Sequence, residues 1–381
     1  MLLRRSSKVF RSNLGLFSTA AAEPKVKLDE FRTLENDPRK QSLENAAKFY
    51  QIAPEIKKKL FSHGGLTKSY EKQIKTFGES CLMIREPALE IINYINNTDF
   101  NKPTVRYVMY GDNGVGKSTA MAHLLHYGYE MGFLLVHVPW LPYWYKHPKE
   151  SGNSLSQEGF IDLPLDAAAW LIHFKTQNAD LLAKMDLKVS KDYVWSKRET
   201  TPAGSKLTEL VDHGINRVKF ASEVIAALVS EIKQQSSEGK FKTMVLIDGY
   251  NSLFYPETRI FGDNKVKMTP DKITLTQPFI DITNYDWTNG VCILTVDKMA
   301  MLGWNRESSL PRYLLGTEGF EHLDPFVPIK IDNYSEKEFN SCIGYYVNRR
   351  WIQNVDDGYD NELKHLSDSN PYKLMDLCKA L

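Results

Sequence analysis

Residues 111–118 have the sequence Gly-Asp-Asn-Gly-Val-Gly-Lys-Ser, which matches the phosphate-binding pattern Gly-x-x-x-x-Gly-Lys-Ser/Thr. In such a loop, backbone amides and the N-terminus of the following helix point towards one phosphate group. Lys117 is expected to reach the β and γ phosphates of a nucleotide, and the hydroxyl of Ser118 to bind Mg²⁺. The alternative is a glycine-rich turn that binds no ligand. The predicted nucleotide contacts are Gly111, Asp112, Asn113, Gly114, Val115, Gly116, Lys117 and Ser118.

A second acidic group is needed near this loop to hold Mg²⁺, and Asp248 is the candidate. It directly follows the apolar residues 244–247, which are expected to form a strand. The alternative is an aspartate that only caps the turn after this strand. Thr295 and Asp297 end the next strand candidate, where a group that senses the terminal phosphate is expected. For these two residues the alternative is again a cap at the end of a strand.

Gly249 follows Asp248 at the position where ATPases of the AAA+ type usually have a glutamate that polarises the attacking water. Without this general base, nucleotide binding persists while the chemical step is expected to be about 10²–10⁴-fold slower. Asn251 can orient a water molecule but cannot accept its proton. The sequence therefore predicts at most a slow hydrolase, and a glutamate at position 249 is expected to raise its turnover.

The loop lies between a predicted strand and a predicted helix, as its chemistry requires. Residues 105–110 are β-branched and aromatic, whereas residues 118–126 contain helix formers without Pro or Gly. Strand and helix candidates then alternate through residues 101–332, which predicts an α/β fold with a doubly wound parallel sheet. The other strand candidates are residues 133–138, 244–248, 291–296 and 327–331, the last at a sheet edge because it contains Pro328. The helix candidates are residues 165–176, 222–235 and 276–285.

Predicted helical regions flank this domain at residues 23–100 and 333–381. Residues 1–22 contain four basic and no acidic residues, which predicts a mitochondrial transit peptide or, alternatively, a disordered basic tail. The 381-residue chain has 48 basic and 47 acidic residues, so removing this leader leaves 44 minus 47, a net charge of −3. Such a chain lacks the general basic field that attracts RNA. Contacts with RNA are therefore expected only at local patches such as residues 57–59 and 265–267.

Residues 111–119, 244–251 and 274–286, together with the basic leader, resemble the death-associated protein 3 family, whose members are GTP-binding proteins of the AAA+/STAND-like P-loop group. The resemblance covers roughly residues 40–381. It implies an AAA+-like P-loop NTPase fold, bound GTP or GDP with Mg²⁺, and a place in the small subunit of the mitochondrial ribosome. It also implies phosphate contacts from Thr119 and a place for Asp248 beside Mg²⁺. Arg312, beyond the fourth strand, is a candidate arginine finger.

Two functions are compatible with these residues. The first is a structural GTP-binding protein of the mitochondrial small ribosomal subunit, located in the matrix and supporting translation. Its partners would be ribosomal proteins and rRNA of that subunit, with contacts between subunits as a further expectation, and it would not form homo-oligomers or span a membrane. The alternative is an active AAA+ ATPase or GTPase that works as a motor or chaperone in mitochondria. Gly249 favours the first function, but the residues alone do not distinguish guanine from adenine.

Overall fold

A computed structural model describes residues 31–262, 265–303 and 307–379 of the chain. The predicted transit peptide, residues 1–22, lies outside the described residues. Among the helices of these three segments, none is both long and apolar enough to cross a lipid bilayer.

Residues 31–100 fold into three helices and a two-stranded antiparallel sheet ahead of the P-loop strand. The elements are β1 (Phe49–Gln51), α1 (Pro54–Phe61), α2 (Lys68–Phe77), β2 (Cys81–Met83) and α3 (Glu86–Asn96). In the small sheet, Tyr50 pairs with Leu82. The helices agree with the predicted helical region. Neither strand is predicted from the sequence, because three residues are too few to show an alternating pattern.

The next region contains a five-stranded parallel sheet with its connecting helices, which confirms the predicted α/β fold. The strand order is β11-β3-β10-β9-β4. In chain order, the elements are β3 (Val105–Tyr110), α4 (Lys117–Glu130), β4 (Leu134–Val138), α5 (Pro142–Lys146), β5 (Gly152–Asn153), β6 (Ile161–Asp162), α6 (Pro164–Gln177), α7 (Ala179–Lys184), β7 (Tyr193–Ser196), β8 (Glu199–Thr201), α8 (Leu207–Asn216), α9 (Ala221–Ser237), β9 (Thr243–Ile247), α10 (Gln277–Asp281), β10 (Gly290–Thr295), α11 (Pro311–Leu323) and β11 (Val327–Lys330).

Both faces of the sheet are covered, which explains why its strands are almost continuously apolar in sequence. Val136 and Val245 face a core that includes residues of α6, α8 and α9, whereas Leu135 and Met244 face a core that includes residues of α3 and α4. Pro328 lies in the edge strand β11, as predicted. Helix α10 is shorter than predicted, since the Thr283 hydroxyl donates a hydrogen bond to the Ile280 carbonyl and the chain turns there.

The C-terminal region is helical, with α12 (Glu336–Asn348), α13 (Tyr359–Ser367) and α14 (Pro371–Cys378). It packs against the N-terminal region rather than standing apart: the rings of Phe49 and Tyr345 are 4.4 Å apart. Glu79, which precedes β2, accepts a 2.8 Å hydrogen bond from Nε of Arg349. The two regions that flank the central sheet therefore share one hydrophobic core.

Candidate nucleotide-binding site

The P-loop joins the end of β3 to the start of α4 and curls back on itself. Gly111, Gly114 and Gly116 have φ angles of 150°, 80° and 99°. Within the described residues, the amides of Gly116, Lys117 and Ser118 donate no hydrogen bond. They lie at the N-terminus of α4, a helix of 14 residues whose dipole places partial positive charge there. An anionic phosphate would satisfy these amides.

The ammonium group of Lys117 is held inside the loop. Its Nζ donates to the carbonyls of Gly111 and Asp112, both at 2.8 Å, and lies 2.9 Å from Oδ2 of Asp297. The lysine side chain is 4% exposed. Asp297 also caps the short turn that follows, accepting a 2.6 Å hydrogen bond from the Met299 amide. Asp297 is thus both the counter-ion of Lys117 and a cap, and its role as a sensor of the terminal phosphate stays a prediction.

Asp248 lies beside the loop because β9, β10 and β3 end at the same edge of the sheet, with Leu294 paired to Ile247 on one side and to Val108 on the other. The Ser118 hydroxyl donates to Oδ2 of Asp248 at 2.6 Å, and the Thr295 hydroxyl donates to Oδ1. Burial raises the pKa of Asp248 from 3.8 to about 6, although both hydroxyl donors act in the opposite direction. The structure therefore brings three of the predicted site residues, Ser118, Asp248 and Thr295, into one hydrogen-bonded group.

Ser118 and Asp248 fit the requirements of Mg²⁺. A hydroxyl and a carboxylate oxygen 2.6 Å apart are the hard oxygen ligands that this ion prefers. No group of three or more His, Cys, Asp or Glu residues in the described part of the chain could hold a metal ion. The protein therefore offers two ligands, and phosphate oxygens and water would have to supply the others. This donor set suits a metal ion that arrives together with a nucleotide.

Asp248→Asn is expected to stabilise the nucleotide-free protein at neutral pH. Because the pKa of Asp248 is raised in the folded state, the folded protein binds this proton more tightly than the unfolded chain. The protonated carboxyl group stabilises the folded state fully below about pH 4. This stabilisation is lost as the pH rises through about 6, which lowers the free energy of unfolding by about 3 kcal/mol. In urea unfolding without nucleotide, the variant should have a higher free energy of unfolding than the wild-type protein above about pH 5 and the same value at pH 4. A variant less stable than the wild-type protein at pH 7.5 would contradict this expectation.

Three of the other predicted contact residues, Thr119, Asp112 and Val115, have side chains that stabilise the loop or pack beneath it. The Thr119 hydroxyl donates to the Gly116 carbonyl at 2.7 Å. Asp112 accepts a 2.9 Å hydrogen bond from Nζ of Lys298, and this contact lowers the pKa of Asp112. The side chain of Val115 is buried in the core beside α4, so only its backbone is available to a ligand.

The surroundings of Gly249 argue against the expectation that a glutamate at this position would raise turnover, which stays untested. Its φ angle is 77°, and a Cβ atom would lie 2.6 Å from Cδ of Pro142. A side chain at this position must therefore displace α5. Asn251 is not available to orient water either, because its amide bonds the backbone N and O of Asp297 at 2.9 and 3.1 Å. Asn251 instead fixes the backbone of Asp297.

Gly249→Glu is expected to destabilise the protein without creating a hydrolase. Gly239 provides the matched control, since its φ of 79° is similar but a Cβ atom there would have no other atom within 4 Å. Positive φ alone costs a non-glycine residue about 1–2 kcal/mol, which Gly239→Glu should show. Crowding against Pro142 should add about 1–3 kcal/mol at position 249. Thermal unfolding measures the loss of stability, and phosphate release measures hydrolysis. Equal losses of stability in the two variants would contradict the steric explanation.

One buried residue of the site is missed by the sequence analysis. Arg85, just before α3, donates from Nη1 to the carbonyl of Val115, and its Nε lies 2.8 Å from Oε1 of Glu338 in α12. The only signal in the sequence is a single cation within the apolar segment 81–89. Arg312, the candidate arginine finger, instead lies with its guanidinium 5.5 Å from the centre of the Phe320 ring.

A cavity of about 690 Å³ opens beside the P-loop. Ser118 and Asp248 are part of its lining, and Trp140, Trp144 and Trp170 form an aromatic part of the same lining. Trp144 also packs against Phe279, with ring centres 5.1 Å apart. The volume is within the range of small-molecule sites.

Two comparisons at the level of sequence agree on one family. Residues 82–377 match the family model described as "Mitochondrial ribosomal death-associated protein 3". The chain is 40% identical over 354 residues to the small ribosomal subunit protein mS29 of Bos taurus, covering 92% of this chain and 88% of that protein. It is 37% identical to mS29 of Mus musculus, with 92% and 89% covered. The solved structure "Structure of the Aeropyrum Pernix ORC2 protein (ADPNP-ADP complexes)" matches with a TM-score of 0.31 and 12% identity over 76% of this chain and 58% of that one.

Proposed function

Because the chain belongs to the mitochondrial ribosomal death-associated protein 3 family, we propose that it is a structural protein of the mitochondrial small ribosomal subunit that binds GTP or GDP with Mg²⁺ at its P-loop. Localisation to the mitochondrial matrix and a role in the small subunit of the mitochondrial ribosome follow from membership of this family. The binding of a guanine nucleotide and of Mg²⁺ is what we add as a proposal.

The observation that carries nucleotide binding is the arrangement around Ser118. Its hydroxyl is 2.6 Å from the buried carboxylate of Asp248, and its amide belongs to the unpaired group at the N-terminus of α4. A phosphate and a Mg²⁺ ion together would satisfy these groups. Nζ of Lys117 donates to carbonyls of the loop itself, and on binding it would donate to phosphate oxygens instead.

The same geometry supports binding without rapid hydrolysis. The acidic side chains Asp112, Asp248 and Asp297 at this site are all engaged. Lys298 pairs with the first, two hydroxyl donors with the second and Lys117 with the third. Gly249 has no room for a glutamate. Bound nucleotide would therefore act mainly as a structural cofactor. At a free ligand concentration [L], it would raise the free energy of unfolding by RT ln(1 + [L]/Kd).

Association with the subunit is proposed to depend mainly on protein neighbours and on a few contacts with rRNA. Of the basic residues predicted to contact RNA, Lys59 pairs with Asp180 at 2.6 Å, and Lys267 lies 3.9 Å from Glu257. These cations are partly neutralised within the chain. Lys57 and Lys58 remain candidates for phosphate contacts.

The proposal is tested on protein purified from mitochondria. Nucleotide extracted from it by acid should be guanine nucleotide in amounts close to one per chain. In sucrose gradients with Mg²⁺ and moderate salt, the protein should sediment with the small ribosomal subunit. Adenine nucleotide, turnover in the range of typical enzymes, or a free homo-hexamer would instead support the AAA+ motor or chaperone.

A further inference from the structure

The outer side of the P-loop is held by the C-terminal region of the chain. Nδ2 of Asn370 donates to the carbonyl of Asn113 at 3.0 Å, and the amide of Tyr372 donates to the carbonyl of Gly114 at 3.1 Å. Asn370 is 6% exposed, so its hydrogen bonds are protected from water. Both donors belong to the first turn of α14 or to its cap.

A third carbonyl of the loop is bound from the N-terminal side. Val115 accepts from Arg85, whose guanidinium also pairs with Glu338. The side chains of Arg85 and Glu338 are only 6% and 9% exposed. Glu338 in turn accepts from the amide of Ser335 at 2.8 Å and so forms the capping box at the start of α12. Three successive carbonyls, at residues 113–115, are thus bound by groups outside the central sheet and its helices.

Gly114 supplies independent support for this docking. It occupies one of the four unspecified positions of the phosphate-binding pattern, so the pattern does not require glycine there. In the structure its φ angle is 80°, and a Cβ atom would lie 2.7 Å from Oδ1 of Asn370 and 2.7 Å from Cβ of Tyr372. Glycine at this position therefore suits both the positive φ and the close approach of the first turn of α14.

We infer that Asn370 and Arg85 are positioning residues of the nucleotide site, so that nucleotide binding and docking of α14 stabilise each other. The carbonyls of residues 113–115 share peptide planes with the amides of residues 114–116, and the last of these belongs to the unpaired group at the N-terminus of α4. Binding these carbonyls from outside therefore restrains the part of the loop that leads into the phosphate position. Such preorganisation strengthens binding because the loop does not need to be ordered by the ligand. The inference rests on the proposed nucleotide binding.

Coupling of this kind is reciprocal. If docking of α14 increases the affinity for nucleotide by some factor, then nucleotide must increase the docking equilibrium of α14 by the same factor. The amide of Tyr372 reports on docking directly, since it bonds the Gly114 carbonyl and is released when α14 leaves. In the full-length protein, GTP with Mg²⁺ should slow hydrogen exchange of this amide while leaving the amides of α13 unchanged.

The variant that tests the inference is Asn370→Ser. Oδ1 of Asn370 caps α14 by accepting from the Lys373 amide at 3.1 Å, and serine retains this capping ability but has no amide donor for Asn113. The variant also loses the 3.0 Å hydrogen bond from Nδ2 to Oδ1 of Asn333, which does not touch the loop. Losing the hydrogen bond to Asn113 should weaken binding of GTP with Mg²⁺ about fivefold in calorimetry. Asp376→Asn is the control on the same helix, because it removes only a half-exposed ion pair with Lys379 and should leave the Kd unchanged.

The outcomes separate the inference from the function on which it rests. A wild-type protein that binds no GTP would overturn the proposed function. A wild-type protein that binds GTP, with an unchanged Kd for Asn370→Ser and unchanged exchange of the Tyr372 amide, would overturn the positioning role. A lower melting temperature of the free variant with the wild-type Kd would show a structural role only, which also contradicts the inference.

Discussion

Lys117→Ala is expected to weaken binding of GTP at least a hundredfold. The ammonium group of Lys117 has its partners, Gly111, Asp112 and Asp297, within 2.9 Å and would redirect its donors to phosphate oxygens. Hydrogen bonds to charged groups contribute about 1.5–3 kcal/mol each, so two of them account for two or more orders of magnitude in Kd. Alanine provides none of these donors.

The measurement compares unfolding with and without nucleotide, because the variant is also expected to be less stable on its own. Removing Lys117 leaves the carboxylate of Asp297, which is 14% exposed, without its counter-ion. A ligand at 100 times its Kd stabilises the wild-type protein by about 2.7 kcal/mol, and this increment should vanish in the variant. Lys175→Ala removes a surface lysine paired with Asp212 and should retain the whole increment. Co-purification of nucleotide with Lys117→Ala would contradict the assignment of the P-loop.

Arg85→Met is expected to lower the free energy of unfolding by about 3–5 kcal/mol. Breaking a buried ion pair leaves the remaining charge, here that of Glu338, without its counter-ion in a poorly solvated place. The carbonyl of Val115 loses a donor as well. Urea unfolding measures the loss. Arg217→Met is a suitable control because its pair with Glu199 is exposed on the arginine side, and it should change stability by less than about 1 kcal/mol.

A double variant separates the stability of the buried pair from its effect on the nucleotide. Arg85→Met combined with Glu338→Leu replaces both charges by apolar groups. This should restore part of the lost stability, although the hydrogen bond from the Ser335 amide to Glu338 is lost as well. The Val115 carbonyl still lacks its donor, so affinity for GTP should remain reduced. Recovery of both stability and affinity would show that Arg85 acts only through Glu338.

The central sheet and the phosphate loop are predictable because their signals are local. Parallel strands such as β9 are buried on both faces and form continuous apolar runs, and the glycines and lysine of the loop have a fixed spacing. The proximity of Asp248 follows from its place at the end of β9.

The contacts on the outer side of the loop have no such signal. Asn370 and Asn113 are 257 positions apart in the chain, and Arg85 and Glu338 are 253 positions apart. Asn370 before a proline indicates the start of a helix but not what that helix contacts. Similarly, the absence of glutamate at Gly249 is visible in the sequence, whereas the close approach of Pro142 that excludes a side chain is a property of the tertiary structure.

The shared core of the two flanking regions has a consequence for how the protein is made. A polypeptide emerges with its N-terminus first, both during synthesis and when it is threaded through a membrane in an extended form. The apolar residues Phe49 and Cys81 therefore stay uncovered until Phe339 and Leu374, near the other end, arrive. During this interval the apolar side chains are exposed to association with other chains. We therefore expect newly synthesised protein to depend on chaperones until the C-terminal helices are available, and a chain truncated shortly before α12 to aggregate rather than form a smaller folded domain.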